Sequence, residues 1–461
     1  MSKAVRRLVR DMRSRERAAR IGSSAPQGAD PQTMRQFNRL LVLNCIRQHG
    51  PLARVAVAER TGLSRTTVSS IVDTLLNEGL VHEGDTLDAA RVGGRRATLL
   101  HFQADAGYIL GVDVGRTHVT LLATDLAADM LVRCSSSFEA ALGPEVCLPL
   151  LAERIRMFVS EHELPWDRIV GIGIGIPGPL DAERQRLVSP PRMPGWDGVE
   201  IGQFLRRELS APLYIENDAN LGALGECRFG AGRGVLNLAY IKIGTGIGGG
   251  LVMNGTIYRG SFGSAGELGH VTIDEDGPLC DCGSRGCLEA LAGAAAIVED
   301  ARAGQSSQAP SHREQPLPTR AAIADIADVI RAAQEGDVAC RAAIERAGEH
   351  IGVAVGSLIN LVNPSLILFD GGVTRAGELL LAPLRRTAAA RSLRMAWART
   401  DILPGELADN AIALGAVSMV IDAAFGVQEG ALRSASHARA TLKTIDASPP
   451  PRAATRRGAG Q

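Results

Sequence analysis

The sequence predicts an α/β protein in two unlike parts: a compact helical block ending in a short hairpin, about residues 34–104, then a long alternation of strands and helices, about 105–427. Three observations carry this. Apolar strand-like runs alternate with helix-like runs through the second part. Two strands there lead into glycine turns, near Gly115 and near Gly244, which suggests a doubled architecture with a cleft between two lobes. In the first part, two short helical patterns flank Thr61-Gly62-Leu63 at the spacing of a helix-turn-helix.

The chain has 461 residues, enough for two to four cores, with 45% hydrophobic and 22% charged residues, as in an ordinary soluble protein. Its formal charge sums to zero, yet residues 1–20 carry Lys3, Arg6, Arg7, Arg10, Arg13, Arg15, Arg17 and Arg20 against Asp11 and Glu16. Residues 1–33 therefore read as a disordered basic arm, and about 428–461 as a disordered tail. A third stretch of that composition, Arg302 to Arg320, reads as a surface loop. No segment offers a secretory signal or the ~20 unbroken apolar residues of a membrane span, so a cytoplasmic protein with no membrane partner is expected. In a reducing compartment Cys45, Cys134, Cys147, Cys227 and Cys340 are expected to be buried thiols without a task.

In the helical block, a first helix from about Met34 to His49 presents Phe37, Leu40 and Leu41 on one face and stops at Gly50-Pro51. A second, about Ala53 to Arg60, precedes the glycine turn, and a third opens at Ser64, a suitable N-cap. Ala58 is small where the helices cross, and Val68, Ile71, Val72, Leu75 and Leu76 form the buried stripe of the third. That leaves Ser64, Arg65, Thr66, Thr67, Ser69 and Ser70 to meet base edges and phosphates in a major groove. Leu80–Glu83 and Ala97–Phe102 read as a hairpin whose connection holds Arg91, Arg95 and Arg96 beside Gly93 and Gly94, a basic wing suited to phosphate. A double-stranded DNA partner follows.

In the second part the predicted strands are Tyr108–Val114, Val119–Asp125, Arg168–Ile176, Leu213–Glu216, Leu236–Ile243 and Leu366–Phe369. The predicted helices are Pro144–His162, Gly198–Leu209, Val338–Leu361 and Asn410–Phe425, the last two being candidates for assembly. Asp113 followed by Gly115 and Thr117 is a carboxylate and backbone turn of the kind that seats a nucleotide phosphate; Gly244, Thr245 and Gly246, and Gly371 and Gly372, are further candidate phosphate turns. His270, Cys280, Cys282 and Cys287 offer one imidazole and three thiolates. Four protein ligands leave no open position, so the ion they suit is a structural zinc.

The Cys-x-Cys-Gly-x-x-Gly-Cys-Leu-Glu run at Cys280–Glu289, preceded by Glu267-Leu268-Gly269-His270, resembles the signature of the ROK family (repressor, open reading frame, kinase). The resemblance spans about residues 37–425, and the attached winged helix resembles its repressor branch. It implies a two-lobed actin-like or ribonuclease-H-like fold with a sugar in the interlobe cleft. Carried over by motif, Asn217, Asp218, Glu267, His270, Glu289 and the backbone at Gly178 would hold sugar hydroxyls, with His270 shared between zinc and sugar.

Family kinases carry Asp-x-Gly-Gly-Thr at the first phosphate turn, whereas this chain has Asp113-Val114-Gly115-Arg116-Thr117. An arginine in place of the second glycine crowds the turn or replaces its amide contacts with a charged fork. The expectation is therefore a sugar-released repressor, a homodimer or higher homo-oligomer, with no catalytic residue. The rival is a DNA-binding sugar kinase with Asp218 as general base.

Overall fold

The computed structural model describes residues 3–20, 31–87, 97–181, 185–190, 193–307 and 323–426. They fall into two compact units, one built from Ile21–Asn77, Val81–Phe102 and Phe425 onward, the other from Met1–Arg20, Glu78–Leu80 and Gln103–Ala424.

The basic arm is not disordered over its first part: Lys3–Arg20 forms helix α1. Val5, Leu8, Val9 and Met12 are buried, a spacing of three and four that lays one apolar stripe along a helix. Val5 packs beside Gly107, and Arg7 pairs with Asp11 at 3.3 Å and Glu78 at 3.6 Å. The arginines between the apolar positions hide this stripe from a reading by composition.

The smaller unit holds α2 (Pro31–His49), β1 (Leu52–Ala53), α3 (Arg54–Thr61), α4 (Arg65–Glu78), β2 (Val81–Leu87) and β3 (Ala97–Phe102). Its antiparallel sheet has the order β1-β3-β2. Helix α2 buries Leu40, Val42, Leu43 and Ile46, while Phe37 and Leu41 are only half-buried, so its core face is turned from the one expected.

The larger unit opens with β4 (Tyr108–Val114), β5 (His118–Asp125) and β6 (Met130–Ser137), followed by α5 (Pro144–Glu161), β7 (Ile169–Ile176), the small hairpin β8 (Leu180–Asp181) and β9 (Arg186–Leu187), α6 (Ile201–Glu208) and β10 (Leu213–Asn217). Helix α7 (Asp218–Phe229) leads to the second lobe: β11 (Leu238–Ile243), β12 (Ile247–Met253), β13 (Thr256–Ile257), α8 (Leu288–Ala292), α9 (Ala294–Ser307), α10 (Ile326–Gln334), α11 (Val338–Val362), β14 (Leu366–Asp370), α12 (Glu378–Arg391), α13 (Arg394–Trp397), β15 (Asp401–Pro404) and α14 (Ala411–Phe425). Arg302–Ser307 is thus the end of α9 and not part of a loop; the rest of the expected loop, from 308, lies outside the described residues.

The doubling is visible in the sheets. The first runs β10-β7-β4-β5-β6 and the second β15-β14-β11-β12-β13, each an antiparallel meander with two parallel strands added on the side of its first strand. Each lobe's first hairpin carries one of the glycine turns. Helix α14 lies on the first sheet, where a Cβ on Gly111 or Gly173 would meet the carbonyls of Ala413 or Ala416 at 2.1 and 2.2 Å. It crosses α7 where Gly225 approaches the Ala411 carbonyl and Gly415 the Leu221 carbonyl. Residues Ala408–Phe425 are apolar enough for a membrane span by composition alone, but most of α14 is buried, which removes it as an assembly surface. In the second lobe α11 buries Gly348, Gly352 and Gly356 on one stripe against α12, letting the two helices pack closely.

Candidate functional site

In the smaller unit Gly62 closes α3 in the left-handed conformation, with φ 70°, and donates its N–H to the Ala58 carbonyl at 2.9 Å. Ser64 Oγ accepts the Thr67 N–H at 3.1 Å, which caps α4 as its sequence predicts. Val57, Ala58, Val68, Val72 and Leu75 are buried. Ser64, Arg65, Thr66 and Ser70 are exposed, Thr67 and Ser69 half-buried. Arg54, which the sequence reading did not single out, ties α4 to the sheet by pairing with Asp73 at 2.8 Å and Glu83 at 3.0 Å. Arg91, Arg95 and Arg96 lie outside the described residues.

The larger unit holds a cleft of about 490 Å³ lined by both lobes. Asn217, Asp218, Gly178, Glu267, His270 and Glu289 all line it, and so do Asp113, Gly115, Thr117, Gly244, Thr245, Gly246, Gly371 and Gly372. Asn217 ends β10 and caps α7: its Oδ1 accepts the Asn220 N–H at 3.1 Å, and its Nδ2 donates to the Gly178 carbonyl at 3.1 Å. Asp218 opens α7 with Oδ1 accepting the Ala219 N–H at 2.9 Å, while Oδ2 faces Lys242 Nζ at 3.0 Å. Glu289 Oε2 accepts the Ile247 N–H at 2.8 Å, and a Cβ on Gly246 would lie 2.3 Å from that oxygen, so a side chain there would push the carboxylate off this bond. Burial, with Asp218 and Glu289 nearby, pushes the Glu267 carboxyl up to about 7.

The departure at Arg116 has a structural answer. Its Nε donates to Thr245 Oγ1 at 3.0 Å, so the side chain spans from the first glycine turn to the second. At the third turn Asp370 Oδ1 accepts the Gly371 N–H at 2.6 Å, and Gly371 has φ 97° with no room for a Cβ against the Ile243 carbonyl.

His270, Cys280, Cys282 and Cys287 come together with their ligand atoms all within 4.8 Å. Cys282 Sγ and Cys287 Sγ are 3.7 Å apart, as are Cys280 Sγ and His270 Nδ1. A tetrahedral ion with bonds of about 2.3 Å to sulfur sets its sulfurs roughly 3.7–3.8 Å apart, so the spacing fits a four-coordinate metal. The loop is held by backbone bonds, Cys280 N–H to the Ser284 carbonyl at 2.7 Å and Gly286 N–H to the Pro278 carbonyl at 2.8 Å. Burial and the two neighbouring thiols push Cys287 up to about 12, while the Ser284 N–H lowers Cys282. Of the other cysteines, Cys45, Cys147 and Cys340 are buried as expected, but Cys134 is exposed, on the outer strand β6, and Cys227 is half-buried.

Sequence reasoning missed Lys242, Tyr240 and His118 as cleft residues, and gave Asp370 only as the residue that opens the Gly371-Gly372 turn. Tyr240 Oη donates to Asp370 Oδ2 at 2.8 Å, and His118 Nε2 lies 3.4 Å from Asp113 Oδ2. Lys242 carried a signal, a cation in an otherwise apolar strand just before a glycine turn, which asks for a buried partner.

Two sheets of the same strand order around a polar cleft are the actin-like, ribonuclease-H-like architecture, here joined to a winged helix-turn-helix. The chain belongs to the ROK family, whose model matches residues 109–423, and a winged helix-turn-helix DNA-binding model matches residues 38–82. A xylose repressor of Bacillus subtilis is 32% identical over 394 residues, 86% of this chain and 97% of that protein. A glucokinase of Thermotoga maritima is 32% identical over 314 residues, 68% of this chain and 96% of that one. Among solved structures, a ROK family transcriptional regulator homologous to the Escherichia coli Mlc protein superposes with TM-score 0.73 at 26% identity, covering 85% of this chain and 97% of the other. A ROK glucokinase from Streptomyces griseus, in complex with glucose and AMPPNP, gives 0.60 at 27%, over 68% and 99%.

Proposed function

We infer that this protein is a sugar-responsive DNA-binding repressor. One observation carries the reading: a single chain joins a capped recognition helix with exposed Ser64, Arg65, Thr66 and Ser70 to a cleft lined by Asn217, Asp218, Glu267, His270 and Glu289. The xylose repressor relative, matched over nearly its whole length, supports the combination. Carboxylates and an amide in fixed positions pair with vicinal hydroxyls, and they reject ligands that leave them unpaired. Arg65 and the exposed hydroxyls would meet a major groove, with Arg91, Arg95 and Arg96 on the phosphates.

The thiol and imidazole cluster suits a structural zinc, since four protein ligands close the coordination shell. Held at Nδ1, the His270 ring would be fixed where it lines the cleft, and Cys287 would fix Glu289 two residues on. Zinc supplies cross-linking of this loop and no chemistry on the ligand. In a two-fold dimer, sugar would stabilise one interlobe angle and shift the spacing of the two DNA-reading units away from that of the half-sites.

Arg116 spanning to Thr245 and Lys242 paired with Asp218 favour binding without phosphoryl transfer. The kinase relatives and the retained Asp218 define the alternative, a sugar kinase that also binds DNA. Gel shift of the full chain on DNA from its own promoter, with xylose, glucose and N-acetylglucosamine added singly, tests the reading. Release of DNA by one sugar without ATP is expected, and operator affinity unmoved by a panel of hexoses, pentoses and amino sugars would overturn it. ATP-dependent turnover abolished by Asp218→Asn would establish the kinase instead.

A further inference from the structure

We propose that Lys242 is a built-in counter-ion, standing where a divalent cation would otherwise gather the carboxylates of the cleft, so that the cleft takes a sugar with no metal–nucleotide partner. The proposal rests on reading the cleft as the sugar site and names what the site does without.

The geometry comes from strand register. Lys242 lies near the end of β11, across from Asp370 on the parallel strand β14. Its Nζ is 3.0 Å from Asp218 Oδ2, and both side chains are largely shielded from water. Asp113, on β4 of the other lobe, is buried, and its Oδ1 has no hydrogen-bond partner among the described residues. Three carboxylates, from the ends of β4 and β14 and the start of α7, thus share one cleft with this ammonium. The attraction of Asp218, Asp113 and Asp370 raises the Lys242 ammonium above its usual range in spite of its burial, which opposes it. Asp113 also has His118 at 3.4 Å, and Asp370 has the Tyr240 hydroxyl at 2.8 Å, but neither brings a permanent positive charge.

Such an oxygen set is the kind that hard divalent cations take, and phosphoryl transfer uses that cation to hold the nucleotide's phosphates. A fixed ammonium among those oxygens offsets one of their charges, occupies the space between them and repels an incoming cation. Lys242 also engages Asp218 Oδ2 at 3.0 Å, so the carboxylate oxygen that would take a proton from a sugar hydroxyl already faces an ammonium. Lys242 is a specificity residue in this account, acting through the three carboxylates.

Manganese, followed by electron paramagnetic resonance of the free ion, is the probe, on the zinc-loaded full chain. The native protein should take up no Mn2+ at concentrations up to about 1 mM, and Lys242→Arg should behave the same way. Lys242→Met, close in volume and uncharged, and Lys242→Thr should each gain one site at least roughly tenfold tighter, abolished again by adding Asp113→Asn. Thermal midpoint and near-ultraviolet circular dichroism identify which variants are folded.

Native uptake of Mn2+ that Asp113→Asn removes would overturn the proposal without any Lys242 variant. So would a folded Lys242→Met or Lys242→Thr that excludes Mn2+ as the native protein does. If instead no sugar releases DNA while the manganese results come out as expected, the repressor reading fails and the counter-ion assignment stands.

Discussion

Gly286→Ala should empty the metal site although Gly286 ligates nothing. Gly286 has φ 63°, and a Cβ there would fall 1.4 Å from the Asp274 carbonyl oxygen. Contacts under 3.0 Å essentially never occur, so the two backbone segments must separate by about 1.6 Å, the difference between 3.0 and 1.4 Å. No rotamer relieves a clash of Cβ with a carbonyl, and left-handed backbone adds about 1–2 kcal/mol for a non-glycine residue. Zinc ligand distances tolerate about ±0.2 Å, and Cys287 is the next residue, so its sulfur cannot stay in place. Gly283→Ala, in the same loop at φ 92° but with nothing among the described residues within 4 Å of its Cβ, carries the backbone strain alone. Purified Gly283→Ala should keep one equivalent of zinc by colourimetric chelator assay with a slightly lowered melting temperature. Gly286→Ala should lose most of its zinc and melt close to chelator-treated native protein. One equivalent of zinc in Gly286→Ala with native melting would refute the reasoning.

Asp218→Asn should weaken the releasing sugar by about 30-fold, the equivalent of about 2 kcal/mol for a hydrogen bond to a charged group, with operator affinity in its absence unchanged; titration by gel shift reads both. Arg65→Ala should weaken operator binding and lower the slope of log affinity against log salt by about one if the guanidinium meets phosphate. Ser64→Ala removes the cap on the Thr67 N–H and should destabilise the smaller unit by about 1 kcal/mol in urea denaturation. Gly352→Ala sets a Cβ 2.6 Å from the Leu384 carbonyl, and should destabilise the α11–α12 pair by about 1–3 kcal/mol, seen as a lower midpoint of the larger unit.

Much of the site was legible because its signals are local. Ser64 and Gly62 are cap and turn residues whose roles depend on neighbours three or four positions away, and Cys280, Cys282 and Cys287 sit in one short loop. Tail composition misled for the opposite reason: the helix Lys3–Arg20 exists through Val5, Leu8, Val9 and Met12 finding cover that no local pattern announces. The role of α14 was equally hidden, since an apolar helix suits an interface or a core alike.

The sequence by itself determined the strand and helix alternation, the glycine turns, the capped recognition helix and the composition of the metal loop, because each follows from backbone preference or side-chain spacing within a few residues. Only the tertiary structure decided that Arg116 meets Thr245 across 129 positions and that Lys242 meets Asp218. The same holds for Glu289 receiving the Ile247 N–H from 42 residues away. Those contacts depend on how two sheets of the same strand order face each other across the crossing of α7 and α14, a packing geometry that no stretch of chain encodes alone.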